Sequence, residues 1–122
     1  MGKDYISLNK MEDHNSISIC LHIENEPVFS IGEKMSELNE CAYMNGYNWE
    51  ALLNYYLKEN YPHVCEGMQS DPEAGMYSAD YELNSENEKK AGELYNIIVD
   101  LIENPEKLYS LVKNDPEEIE WD

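Results

Sequence analysis

The stretch SISICLHI at residues 16–23 decides the fold class, because every second side chain in it is apolar. This period of two is typical of a strand with one buried face. Residues 5–8 (YISL) alternate in the same way, and the polar residues 12–15 (EDHN) between the two segments predict a turn. We therefore expect an antiparallel hairpin whose longer strand has these apolar side chains on one face: Ile17, Ile19, Leu21 and Ile23.

Two later segments have the period of an amphipathic helix. In residues 48–58 the apolar side chains recur three and four positions apart, and Asn48 is a suitable N-cap. Residues 85–102 have a second apolar stripe, preceded by Ser85 and Glu88 in the Ser-x-x-Glu spacing of a capping box. Both segments are predicted to be helices with one buried face.

Shorter patterns predict the rest of the chain less sharply. They indicate a possible strand at residues 28–31, a strand at residues 64–68, a turn at residues 71–75 and a strand at residues 76–81. A third helix is predicted to start at Asn104-Pro105 and to end before residues 115–116. Residues 33–43 are compatible with a short helix or with a loop. Since the strands come mostly first and the long helices mostly last, we expect an α+β fold. It would be one domain, residues 1–122, with a mostly antiparallel sheet, helices packed on one face, and an acidic C-terminal tail at residues 115–122.

The composition is strongly acidic. The 122 residues include 8 lysines, no arginine and 26 carboxylates, for a formal net charge of −18. Nucleic-acid binding needs clustered Lys or Arg to contact phosphates, and binding to an anionic membrane surface needs the same, so both classes are disfavoured. Ten tyrosines and two tryptophans provide core material that disordered chains lack. No apolar run reaches the length of a signal peptide or a membrane span, which predicts a cytoplasmic protein.

A metal site or an enzyme is the main alternative to a binding protein. The pairs Cys20/His22 and His63/Cys65 are a set of zinc ligands, but structural zinc sites rarely space their ligands by one residue. A Cys-His nucleophile from the same residues would lack an identifiable orienting group. Three cysteines, an odd number, fit buried thiols in a reducing compartment better than a disulfide framework. We therefore expect no catalysis, no metal and no cofactor.

The charge points to a protein partner. The excess of carboxylates over lysines is twice as large in residues 65–122 as in residues 1–64. Carboxylates can steer a basic protein and pair with its Lys and Arg, while aromatic side chains can anchor it. The predicted partner-binding residues are those where an aromatic lies beside carboxylates outside the helical stripes: Asp71, Glu73 and Tyr77; Asp80, Tyr81 and Glu82; Glu118, Glu120 and Trp121. The alternative for Tyr77 or Tyr81 is a place in the core. If these residues do not bind the partner, the next candidate surface is residues 33–43, with Glu37 and Glu40.

Two sequence segments resemble the immunity protein 51 family. They are NGYNWEALL at residues 45–53 with the following Tyr56-Leu57, and DPEAGMY at residues 71–77. The family has a Gly-Tyr-Asp-Trp-Glu-like helix start and, some twenty residues later, an Asp-x-Glu-Ala-Gly-Met-aromatic turn. Asn48 stands where the family commonly has Asp, and both residues can cap a helix. Trp49 lies on the apolar stripe and Gly75 suits a turn, so the two motifs are expected to be structural.

The resemblance implies a bacterial cytoplasmic protein that binds and neutralises a cognate toxin. The partner would be the C-terminal domain of a toxin used in contact-dependent growth inhibition, and a basic, nuclease-like domain would match the acidity of this chain. An acidic DNA-mimic type inhibitor of a nucleic-acid-binding protein is the alternative that the same charge allows.

Overall fold

The predicted hairpin forms one half of the sheet. In the computed structural model, which describes residues 4–40, 42–114, 116–119 and 121, β1 (Ile6–Met11) pairs antiparallel with β2 (Ser16–His22). A 3-10 turn at Glu12–His14 connects them and ends at Asn15, whose left-handed backbone (φ 50°) asparagine tolerates well. The hairpin prediction is confirmed.

Two further strands complete the sheet. The strand β3 (Gln69–Ser70) pairs antiparallel with β4 (Met76–Glu82), and β4 pairs antiparallel with β2 so that Ala79 lies opposite Ile19. The strand order is β1-β2-β4-β3. The strand predicted at residues 76–81 is thereby confirmed.

The two central strands have one apolar and one polar face. The apolar face contributes six buried side chains: Ile17, Ile19, Leu21, Tyr77, Ala79 and Tyr81. The opposite face is polar and has Ser18 opposite Asp80 and Cys20 opposite Ser78. Alternation along a strand sends neighbouring side chains to opposite faces, so only the apolar face enters the core.

Helices pack on the apolar face. The described helices are α1 (Glu26–Leu38), α2 (Gly46–Asn60), α3 (Pro62–Cys65), α4 (Ser85–Glu103) and α5 (Glu106–Asn114). The longest, α4, contacts β1, β2 and β4, while α2 contacts β4 and α1 packs on α5. The α+β class with helices on one face of an antiparallel sheet is confirmed. None of these helices combines the length and the apolar character needed to cross a membrane.

The strand predicted at residues 28–31 is wrong, because these residues belong to α1. Pro27 lies in the first turn of that helix, where a proline costs no hydrogen bond. The buried Val28, Ile31 and Met35 are spaced by three and four residues, which is a helical stripe. A window of four residues was too short to distinguish this period from a buried strand.

The strand predicted at residues 64–68 is also wrong. Pro62 starts the short helix α3, in which Val64 is the buried residue. Gly67 then takes a positive φ of 77°, and the ladder begins only at Gln69. Helix starts shift as well: Asn45 caps α2 in place of Asn48, and Asn84 caps α4 in place of Ser85.

Candidate functional site

The two motif segments lie side by side. The backbone N–H of Gly46, at the start of α2, donates to the carbonyl oxygen of Ala74 at 3.0 Å. Within the turn, the N–H of Glu73 donates to the carbonyl of Met76 at 2.7 Å. Two segments that are not adjacent in sequence therefore form one structural unit, at the end of the sheet where β4 begins.

Tyr77 and Tyr81 lie in the core, with 0% and 2% of their surface exposed. They are four residues apart on one strand, so both side chains point to the same face. The Tyr81 hydroxyl donates to the carbonyl of Val64 at 2.6 Å, and burial raises the pKa of both tyrosines. The prediction that these two rings are exposed anchors for a partner is wrong, and the core alternative holds for both.

The predicted carboxylates near the turn are accessible. Asp71, Glu73 and Glu82 are exposed, and Asp80 is half-buried on the open face of the sheet. The hydroxyls of Ser18 and Ser78 both donate to Oδ1 of Asp80, the latter at 3.4 Å. The N–H of Asp71 donates to the Ser78 carbonyl at 2.8 Å, so the turn lies against β4, which is a central strand of the sheet.

The predicted partner-binding residues at the C-terminus belong to a different part of the fold, next to α5. Glu118 is exposed in a 3-10 turn, Pro116–Glu118, that packs on α5. Ile119 is buried, and Trp121 is half-buried against the core, so this part of the predicted tail is attached to the domain. Glu120 lies outside the described residues.

The side chains considered for zinc do not assemble. Cys20 and His22 lie on the polar face of the sheet, while His63 pairs with Glu93 at 2.8 Å. Burial raises the pKa of the Cys65 thiol, which disfavours the thiolate that a metal requires. Among the described residues, no group of three or more His, Cys, Asp or Glu side chains could hold a metal ion.

An aromatic groove beside α1 was not predicted, although its lining includes Glu37 from the second candidate surface at residues 33–43. It has a volume of about 640 Å³ and is lined by Phe29 and Glu33 and, across from them, Tyr43 and Met44. Phe29 and Tyr43 are 48% and 73% exposed. Phe29 lies outside the buried stripe of α1, and the helical spacing of Val28, Ile31 and Met35 could have indicated its exposure. The wrong strand prediction at residues 28–31 prevented this interpretation.

Comparisons with known proteins give one match. Neither the curated proteins nor the solved structures that we searched contain a match to this chain. The model of the family described as immunity protein 51 matches residues 8–117, which includes both motif segments and nearly all of the sheet and helices. The chain therefore belongs to the immunity protein 51 family.

Proposed function

We propose that this protein neutralises a cognate bacterial toxin by binding to it in the cytoplasm, without catalysing a reaction. The observation that carries the proposal is the family match over residues 8–117. The toxin domain is proposed to be the C-terminal domain of a contact-dependent inhibition system. Binding alone is sufficient for this function when the inhibitor occupies the surface that the toxin uses.

The charge of the chain supports a basic, nuclease-like toxin. A nuclease binds the phosphates of its substrate with Lys and Arg, and an acidic protein can bind to this basic surface and cover it. A net charge of −18 on 122 residues generates a field that raises the rate of encounter with a basic partner. The same field costs stability through self-repulsion, and either a cationic partner or solubility has to account for it.

The exposed carboxylates are the candidates for charge pairing with the toxin. Asp71, Glu73 and Glu82 are exposed, and no described hydrogen bond reaches Oδ2 of Asp80, which remains available to a Lys or Arg. Glu118 is a further candidate on a different part of the surface. The buried Tyr77 and Tyr81 are not part of this proposal.

Co-expression with the toxin domain encoded beside this gene tests the proposal. Cells that produce the toxin domain should survive only with this protein, and the two purified proteins should form a complex measurable by calorimetry. Toxicity that persists, together with no complex, would contradict the function. Inhibition of unrelated host nucleases, with no affinity for the adjacent toxin, would favour the DNA-mimic alternative.

A further inference from the structure

The most exposed aromatic side chains are concentrated in one region. Among the described residues, three aromatics are exposed by more than a third, and they come from α1, the segment after it and the start of α2: Phe29 (48%), Tyr43 (73%) and Tyr47 (41%). The other described aromatics are buried or half-buried. Exposed aromatic clusters on a small domain mark interaction surfaces, because large rings supply most of the binding energy at protein interfaces.

The groove between α1 and residues 43–44 is held open by specific contacts. Gly32 is buried on α1, and a Cβ atom added there would lie 3.1 Å from the Cβ of Met44, so glycine permits the close approach of the two segments. The Ser36 hydroxyl interacts with the Ala42 carbonyl at 2.6 Å and with the Gly32 carbonyl at 3.2 Å. These contacts fix the wall of the groove without filling it.

Tyr43 combines a rigid backbone with an exposed ring. Its carbonyl oxygen accepts hydrogen bonds from the Asn48 side-chain amide at 2.7 Å and from the backbone N–H of Asn45 at 2.9 Å. Asn48 itself is buried, with 3% exposed. A ring whose backbone is already ordered loses less conformational entropy when a partner binds, so this arrangement suits an interface anchor.

Carboxylates flank the aromatic side chains. Phe29, Glu33 and Glu37 follow each other at four-residue spacing and form one ridge on α1. Two glutamates at this spacing cost a helix a few tenths of a kcal/mol, so the ridge is not explained by helix stability. Lys34 is the cation among the groove's lining residues, which leaves the charge there negative.

We propose that this groove, between α1 and residues 43–44, is the docking surface for the toxin. An Arg or Lys side chain of the toxin would lie against the rings of Phe29 and Tyr43, paired with Glu33 and Glu37. Cation–π contact and charge pairing then act on the same cation. This inference rests on the proposed function. It assigns the role of aromatic anchor to Phe29 on α1 and to Tyr43 after it, in place of Tyr77 and Tyr81 on β4.

Affinity measurements with the adjacent toxin domain test the inference by comparing two double charge reversals. Glu33→Lys with Glu37→Lys should weaken binding by more than tenfold, whereas Glu59→Lys with Glu66→Lys, at two exposed glutamates outside the groove, should change it by less than threefold. Both variants change the net charge by the same amount, so any difference reflects position and not the overall field. Circular dichroism and thermal unfolding verify that each variant is folded.

A second comparison isolates the rings. Phe29→Ala with Tyr43→Ala should also weaken binding by more than tenfold, while Leu8→Ala, which removes a 39% exposed apolar side chain from β1, should leave it unchanged.

Equal affinity for wild type and all groove variants would overturn the docking surface while leaving the toxin-binding function intact. Failure of the wild type to bind would instead contradict the proposed function. The wild type could also be a dimer that the ring variants convert to a monomer, with toxin affinity unchanged. That result would assign the groove to a second copy of this chain and overturn the inference.

Discussion

The backbone of Gly46 touches the carbonyl oxygen of Glu73 so closely that a Cβ atom at residue 46 would lie 1.7 Å from it. The same atom would lie 2.4 Å from the carbonyl oxygen of Met76. Both obstacles are backbone atoms, which cannot rotate away as a side chain can. The glycine of the first motif is thus required by the turn of the second motif, and this explains why the two segments act as one structural unit.

Gly46→Ala should destabilise the protein strongly. Overpacking costs roughly 1–3 kcal/mol, and the backbone clash places this variant at or above the upper end. Urea unfolding measures the change. Gly92→Ala is the matched control, because a Cβ atom there meets nothing within 4 Å in the helix α4. That control should gain about 0.5–1 kcal/mol, since glycine is a poor helix former. Equal effects of the two substitutions would contradict the packing argument.

Removing the hydroxyls of the two core tyrosines should have different effects. Tyr81→Phe loses the hydrogen bond to the Val64 carbonyl and should cost about 1–1.5 kcal/mol. The Tyr77 hydroxyl is buried without a described hydrogen-bond partner, so Tyr77→Phe should be neutral or stabilising. Equilibrium unfolding of both variants checks this. A large loss in Tyr77→Phe would reveal a partner for that hydroxyl, such as a bound water.

Stability should fall in alkaline solution. Burial raises the pKa of Tyr77 and Tyr81 in the folded protein above the value of about 10 in the unfolded chain. The folded state therefore keeps its full stability below about pH 10 and loses it as the pH rises further, by at most about 1.4 kcal/mol per pH unit for each tyrosine. Urea unfolding between pH 8 and 11.5 measures the loss. Tyr77→Phe should reduce the slope of stability against pH, and an unchanged slope would contradict the role of this buried hydroxyl.

Association with the toxin should be fast and sensitive to salt. Exposed charges act over a Debye length of about 8 Å at physiological ionic strength and about 3 Å at 1 M. Stopped-flow measurements at increasing salt should show the association rate constant falling by at least tenfold, with a smaller change in dissociation. A flat association rate would mean that the charge of −18 serves solubility and does not steer the partner.

Elements with a long, regular period were predictable from sequence. The period of two in residues 16–23 and the helical stripes in residues 48–58 and 85–102 matched the observed strand and helices, with starts that moved by up to three residues. The failures at residues 28–31 and 64–68 have a shared cause. Each lies just after a proline, and Pro27 and Pro62 both occupy the first turn of a helix, where proline favours helix initiation.

The candidate site was less predictable than the fold. The proximity of Asp71 to β4 followed from sequence, because the turn and the strand are neighbours in the chain. Residues 33–43 were a second candidate surface from sequence, but the pairing of Phe29 with Tyr43 was not predictable, because it depends on the close contact of Gly32 with Met44. Contacts of this kind depend on tertiary packing and leave no period in the sequence.

The position of β4 beside β2 also determines when the protein can fold during synthesis. Ser18 and Asp80 are partners across these strands but lie 62 positions apart in the chain. The β1–β2 hairpin emerges early, and an isolated hairpin is only marginally stable in water. The strand that pairs with it and the helix that covers it, α4, both come from the second half of the chain. The nascent chain therefore keeps its apolar sheet face uncovered until both β4 and α4 have been synthesised, so the first half of the domain cannot fold stably before the second.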